Sequence, residues 1–314
     1  MEKSCCFLTV CMNPVLQKTL VFSRVFPGRV NRTAVHRFDA SGKGINVTRV
    51  LTQLKKDTIH LTHLGGPLGP FFLRLCEQDK LTLRWVESGS PIRFCYTLLT
   101  EEETGHRVTE LVEEGDPVGP GTEEKLLGVY REVLPQAKTV IISGSKARGY
   151  NDTLVPEMVR LARAQGKRII LDIRGKDLEQ SMVYGPSIIK PNLFEFAGTF
   201  APEFKSLGEL SGDEEGVRDR IASLALDLSA RYGAEIILSR GTLPVWYTCG
   251  GVFAETPVEK QRTLNSTGSG DAFTAGLAAA LDGNLSLPDA IAEGIRCGSL
   301  NAGFLKPGII EETA

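Results

Sequence analysis

The sequence predicts an α/β protein: a mostly parallel sheet covered by helices on both faces, with a small β appendage over one edge. Two patterns carry this. Between residues 138 and 281 short, continuous apolar runs alternate with segments of helical periodicity, as strands buried on both faces require. Around residues 93–112, in contrast, two strand-like runs are joined by a polar turn with no helix between them, which a parallel sheet cannot absorb.

Taken in order, CCFLTVCM (residues 5–12) is an apolar run ending at Asn13-Pro14 and reads as a buried first strand. Eight residues are too few for a signal segment with its cleavage site, and far too few to cross a bilayer. A second hairpin is expected near residues 20–37. In NVTRVLTQLKK, Val47, Val50, Leu51 and Leu54 fall at helical spacing. TIHLTHLG alternates as a strand up to Gly65-Gly66, FFLRLCEQDKL is a second amphipathic helix, and the next strand begins across residues 81–86. RFCYTLLT, the turn EEETG and HRVTELV form the hairpin. Then come the strand KTVIISG, a helix over 151–165, the strand KRIILDI, a helical stretch over 176–184, the strand SIIKPN and further helix. AEIILSRG and DAFTAGLAAAL, a strand and a helix, follow.

Composition narrows the function classes. At 314 residues, 42% hydrophobic and 24% charged, with a net charge of −2, the chain has a globular composition and no basic excess for a polyanion. Neither nucleic acid nor a membrane is an expected partner. The seven cysteines are scattered without CxxC pairs, so a reducing compartment, the cytoplasm, is expected. No repeat, low-complexity tract or long linker divides the chain, and a single domain over 1–314 is expected.

The segment TLNSTGSGDAFTAGLAAAL (263–281) carries the chemistry. An ordinary helix start accounts for it: Ser266, Thr267 or Ser269 caps, the glycines turn, and Asp271 complements the positive helix end. A dinucleotide fingerprint does not, because Phe273 stands where GxGxxG needs its third glycine. An anion hole also accounts for it. Gly268, Ser269 and Gly270 would present successive N–H groups at a helix N-terminus to a phosphoryl group, and Asp271 would take the proton of an attacking hydroxyl. The run of small residues behind it allows close helix packing. No Walker sequence exists, since SGKGIN lacks both the upstream glycine and the Ser/Thr after Gly-Lys.

Four landmarks in this order, MNP (12–14), SGKGINVTRVL (41–51), IIKPNLFEF (188–196) and NSTGSGDAFTAGL (265–277), resemble the PfkB branch of the ribokinase-like carbohydrate kinases. Within that family the 1-phosphofructokinase and tagatose-6-phosphate kinase group is the nearest in character. The resemblance runs from Thr9 to about Gly308. It implies a ribokinase-like three-layer α/β/α sandwich with a small β-sheet lid built from segments near 12–38 and 90–112. It also implies ATP and Mg2+ as cofactors, and phosphotransfer to a hydroxyl of a phosphorylated sugar, a ketohexose phosphate. Asp271 matches the family's base, and Gly268, Ser269 and Gly270 its anion hole. Gly42, Lys43, Gly44 and Asn46, with Asn13 and Gln17, match its sugar contacts; a helix start capped by Ser41 is the plainer account of the first four. Asn192 and Glu195, three apart on one helical face, match the residues that organise Mg2+ through water, with a simple helix cap as the alternative. Lys190, Ser239 and Gly241 match ATP contacts. Arg93 and Arg107, on opposite arms of the hairpin, are the candidates for the acceptor's phosphate, with Arg29 a third. Lids of this family often pair, so a homodimer through the lid is an expectation.

The departures lie on the sugar side. Gln17 replaces an aspartate that accepts two sugar hydroxyls, and Cys95 replaces an asparagine. Lys146, Arg148 and Arg174 add positive charge near the expected cleft, suiting a more anionic or differently configured acceptor. Two other classes share this fold: a catalytically weak sugar-phosphate sensor, which Gln17 and Cys95 favour, and a kinase for an unphosphorylated sugar or nucleoside.

Overall fold

The structure is a computed structural model that describes residues 7–103, 105–204, 216–259 and 262–311. The first two residues of the expected first strand, Cys5 and Cys6, and Thr104 of the expected turn lie outside these.

The first half of the chain runs β1 (Phe7–Cys11), β2 (Val15–Phe22), β3 (His36–Ser41), α1 (Lys43–Gln53), β4 (Thr58–Leu64), α2 (Gly69–Gln78) and β5 (Leu83–Glu87). It continues through the hairpin β6 (Arg93–Glu102) and β7 (Gly105–Val112) to α3 (Thr122–Val133). The second half runs β8 (Thr139–Ser143), α4 (Leu154–Ala164), β9 (Arg168–Asp172), α5 (Lys176–Ser181), β10 (Ile188–Ile189), α6 (Leu193–Phe200) and α7 (Val217–Tyr232). It ends with β11 (Glu235–Arg240), β12 (Leu243–Cys249), β13 (Val252–Thr256), α8 (Ser269–Asp282) and α9 (Leu287–Ala302).

The nine-stranded sheet has the order β13-β12-β11-β10-β9-β8-β1-β4-β5. Every pairing from β11 to β5 is parallel, while β12 and β13 close one edge as an antiparallel hairpin. Alternation along each strand builds two cores. Val140 and Ile142, Ile169 and Leu171, and Ile236 and Leu238 face a layer that includes α3, α4 and α7. Their neighbours Ile141, Ile170 and Ile237 face α1, α8 and α9 on the other side. Burial on both faces is why these strands read as unbroken apolar runs.

The second sheet has the order β3-β2-β6-β7, with β2 and β6 parallel and both outer pairings antiparallel. Its β3 reaches Ser41, beyond the residue 38 expected from sequence, so this sheet runs directly into α1. Leu16, Ala40 and Ile92 at its base join Phe72 and Cys76 of α2 in a third, smaller core.

The small residues of α8 have a packing cause. A Cβ on Gly276 would lie 2.7 Å from Cys297 Sγ and 2.9 Å from the carbonyl of Glu293 in α9, so only glycine lets these helices approach so closely. Among the described residues, Cys11, Cys76, Cys95, Cys249 and Cys297 are free thiols, and no helix is long and apolar enough to cross a membrane.

Candidate active site

Three cavities meet where the parallel strands end at their carboxyl termini, the usual place for a ligand in such a sheet. The central one, of about 490 Å³, has the small sheet as one wall, through Gln17, Arg93, Cys95 and Glu110. Asp172, Lys190 and Ser239 reach it from strand ends, and Gly268, Gly270 and Asp271 from the start of α8. A second cavity, of about 210 Å³, shares Lys43 and Arg93 with the first and adds Asn13, Ser145 and Arg174. A third, of about 360 Å³, shares Asn192, Ser239 and Gly270 and is walled mostly by apolar side chains such as Val245, Phe273 and Ile295.

Gly268 sets the start of α8. Its φ of 86° is in the left-handed region, and a Cβ there would meet Pro307 at 3.0 Å and the amide of Gly308 at 3.1 Å. No side chain caps this helix, so Ser266, Thr267 and Ser269 do not act as the helix start predicts. The amide of Ser269 donates to the carbonyl of Ser266 at 3.1 Å and is therefore unavailable as an anion-hole donor. Among the described residues, the amides of Gly268, Gly270 and Asp271 have no backbone acceptor. The donor set thus shifts by one member from that expected.

Asp271 is buried, and its Oδ2 accepts a hydrogen bond from Asn46 Nδ2 at 2.8 Å. Burial pushes its pKa up to about 6, against the opposing pull of the Lys43 ammonium; Asp172 adds to the rise, while Asn46 and Lys190 counter it. Asp172 itself goes the other way. Burial would raise it, but Lys190 Nζ at 3.6 Å, Lys43 Nζ at 3.6 Å and hydroxyl donors from Thr274 and Ser143 hold it below the ordinary carboxylate range. Two buried acids, one near neutral pH and one firmly ionised, therefore share one wall.

Asn192 and Glu195 form a reciprocal capping box at the start of α6: Asn192 Oδ1 accepts the Glu195 amide at 2.7 Å, and Glu195 Oε2 accepts the Asn192 amide at 3.1 Å. The remaining Glu195 oxygen faces Lys43 Nζ at 3.3 Å. No cluster of three or more metal-ligating side chains occurs among the described residues. The carboxylates of Asp172 and Glu195 at one cavity wall fit a magnesium ion that keeps its own waters, rather than a cage of protein ligands. Ser239 lines the central and apolar cavities, and Gly241 lines the apolar one.

The structure separates the residues expected to contact the sugar. Asn13, Gln17, Gly42, Lys43, Asn46 and Arg93 all line the central or second cavity. Gln17 is buried and donates through Nε2 to Thr97. Gly44 lines none of these cavities: a Cβ there would meet Cys11 Cβ at 2.8 Å and the carbonyl of Val10 at 2.9 Å, where α1 sits close against β1. Arg107 is also displaced. It pairs in register with Thr100, seven residues and roughly 23 Å along the strand from Arg93. Its side chain is 73% exposed and bound to Glu102 at 2.6 Å, so Arg93 and Arg107 do not converge. Arg29 is exposed in the β2–β3 connection and lines no cavity. Lys146 is held by Asp152 at 3.0 Å and by Asp177, and Arg148 donates twice to the carbonyl of Gly115. Of the three added cations only Arg174 reaches the cleft.

Sequence reasoning missed Asp172 and Glu110. Asp172 is an acid closing the apolar run RIILD, and a charge at the carboxyl end of a buried strand is a signal that points to a site. Glu110 accepts from Thr267 Oγ1 at 3.1 Å, and the His106 amide donates to the carbonyl of Thr263 at 3.2 Å, so the hairpin β6–β7 rests on the segment leading into α8. Nothing local in the sequence marks that contact.

The sequence matches the family described as "pfkB family carbohydrate kinase" over residues 1–311. A tagatose-6-phosphate kinase of Staphylococcus epidermidis is 27% identical over 276 residues, covering 87% of this chain and 84% of that protein. Solved structures that share the fold include the following two. Phosphofructokinase-2 of Escherichia coli in complex with fructose-6-phosphate superposes with a TM-score of 0.81 at 20% identity, over 95% of this chain and 94% of that one. The "Possible 1-phosphofructokinase" of Thermotoga maritima gives a TM-score of 0.81 at 22% identity, over 96% and 92%.

Proposed function

The chain belongs to the pfkB family of carbohydrate kinases, and on that premise we propose that it transfers the terminal phosphoryl group of ATP to a hydroxyl of a ketohexose phosphate. The observation that carries this reading is Asp271: a buried carboxylate, poised near neutral pH, beside amides at the start of α8 that have no backbone acceptor among the described residues.

The apolar cavity takes the adenine, and its junction with the central cavity, at Asn192, Ser239 and Gly270, takes the triphosphate. Asp172 and Glu195 would hold Mg2+ through water, and the ion would supply neutralisation of the triphosphate. The acceptor lies on the other side of Asp271, with its own phosphate in the second cavity against Arg93 and Arg174. Arg93 has the capacity for this: Nη1 and Nη2 hold the carbonyls of Glu113 and Asn13, while its buried Nε has no partner among the described residues. Asp271 takes the proton of the attacking hydroxyl as its oxygen bonds to the γ-phosphorus. The bond from that phosphorus to the β,γ-bridging oxygen breaks, and ADP departs. The amides of Gly268, Gly270 and Asp271, with Lys43 and Lys190, meet the negative charge of the transferring group.

The small sheet is the lid, closing the central cavity against water through Arg93, Glu110 and the hairpin contacts with Thr263 and Thr267. Exposed Val30, Val35 and Leu111 on its segments support a second copy docking there, in a cytoplasmic homodimer.

The test is an acceptor screen with coupled detection of ADP, using fructose 1-phosphate, fructose 6-phosphate, tagatose 6-phosphate and their unphosphorylated sugars. Turnover confined to phosphorylated ketohexoses is expected. Turnover of free sugars or nucleosides alone would overturn the reading. Tight binding without turnover would favour a sensor, the alternative supported by Gln17 and Cys95 in the cavity wall.

A further inference from the structure

Asn46 reaches Asp271 by one hydrogen bond, and that bond depends on which way the amide faces. An amide has a donor end and an acceptor end of nearly equal shape, so its orientation must be fixed by its neighbours. Here Oδ1 accepts from Arg49 Nη1 at 2.9 Å and from Ser41 Oγ at 3.2 Å, which turns Nδ2 toward the carboxylate. A hydroxyl such as Ser41 can donate or accept and would tolerate either orientation. A guanidinium has donors only and tolerates one.

From this we infer that Arg49 is a positioning residue for the reaction, holding Asn46 so that an N–H and not a carbonyl oxygen faces Asp271. Arg49 lines none of the three cavities and acts only through Asn46. It is itself over-determined: Nε donates to Asp79 Oδ2 at 2.8 Å, Nη1 also to the carbonyl of Pro307 at 2.8 Å, and Nη2 to the carbonyl of Ala40 at 2.5 Å. It therefore ties the end of β3, the end of α2 and the segment after α9 to the first turns of α1. Lys306 completes the cluster, bonded to Asp79 and 3.8 Å from Asp39, which in turn holds Arg37 of the small sheet. The charged groups that face Asp271 are Lys43 of α1, Asp172 of β9 and Lys190 after β10, and Arg49 touches none of them.

The inference rests on the kinase reading for its kinetic arm but has an arm of its own. Lysine at position 49 keeps the charge opposite Asp79, yet a single ammonium cannot serve four acceptors in a planar fork. Arg49→Lys should lower kcat roughly tenfold to a hundredfold with KM for ATP changed less than about twofold. The acidic limb of its pH–rate profile should move up by ~0.5 unit or more, because a donor to the ionised carboxylate is lost. In an Asn46→Ala background the same substitution should change kcat by less than about twofold. Costs that multiply instead, or an unmoved acidic limb, would overturn the inference. Independently of turnover, the carbon-13 carboxyl resonance of Asp271, assigned with Asp271→Asn, should titrate at higher pH in Arg49→Lys than in the wild type. An unchanged titration overturns the inference, whereas a wild-type chain without turnover sinks only the kinase reading. Should Arg49→Lys not fold, Arg49→Met combined with Asp79→Leu removes both charges together, leaves Lys306 to Asp39, and makes the same prediction.

Discussion

The Lys43 ammonium lies 3.3 Å from Oε1 of Glu195, bridging the first turn of α1 to the capping box of α6 across the cavity that Asp271 borders. After burial, which raises the Asp271 pKa, the charge of Lys43 is the largest influence on it, and it acts downward. Removing that charge leaves burial and Asp172 less opposed. Lys43→Met should therefore shift the acidic limb of the kcat/KM profile, which reports the free enzyme, upward from its wild-type position near pH 6, and a profile from pH 5 to 8 reads it. A limb that stays in place would show that Asp271 is not the titrating base.

Asp271→Asn should separate activity from stability. On the proposed role as general base, its loss should cost about 10²–10⁴ in kcat while ATP still binds. In the folded chain its pKa is about 6, above the 3.8 of an ordinary aspartate, so between those values the native state holds a proton that the unfolded chain has released. Its contribution to stability is thus full below pH 3.8 and lost as pH rises through 6. Above that the buried charge costs on the order of 3 kcal/mol. The asparagine variant should melt higher than the wild type at pH 7.5, with the difference vanishing in acid. A lower Tm at pH 7.5 would contradict the assigned electrostatics.

The parallel sheet is legible because runs such as TVIIS and RIILD must be apolar at every position when both faces are covered. The hairpin β12–β13 is harder. Its strands carry mixed side chains, and its signal is the pair Gly250-Gly251, both at positive φ, between two short runs. Helix α3 buries Leu126, Tyr130 and Val133 at helical spacing, but inside a charged segment that masks the period. In the site, residues gathered by one local turn, such as Gly268 to Asp271, are legible together. Contacts across the fold are not. Lys43 with Asp172, Asn46 with Asp271, and Glu110 with Thr267 each join elements far apart in the chain, and only the topology brings them together. The expected convergence of Arg93 and Arg107 fails for a related reason: hairpin register, not membership of the hairpin, decides which side chains meet.

That register gives a contrast in the arginines. Arg93→Ala should raise KM for a phosphorylated acceptor more than about tenfold, as loss of a charge-assisted contact with phosphate implies. Arg174→Ala should raise it less, being the more exposed wall of the second cavity. Arg107→Ala, 73% exposed and bound to Glu102, should leave KM within about twofold. Steady-state kinetics on the three variants checks the order, and an Arg107 effect matching that of Arg93 would mean the lid closes in a different register around its ligand.

Gly44 tests whether the turn before α1 serves the ligand or the packing. The turn expected to contact the sugar includes it, yet a Cβ there would press into Cys11 and the carbonyl of Val10, both part of the rigid β1 backbone or its first side-chain atom. Neither can yield as the end of a long side chain would, so α1 must shift outward. Gly44→Ala should then lose on the order of 1–3 kcal/mol of stability through overpacking. Because Lys43 and Asn46 ride on the same turn, the shift should also lower kcat while leaving KM for the acceptor nearly unchanged. Thermal unfolding with kinetics at saturating ATP distinguishes this from a direct contact, which would raise KM at unaltered Tm.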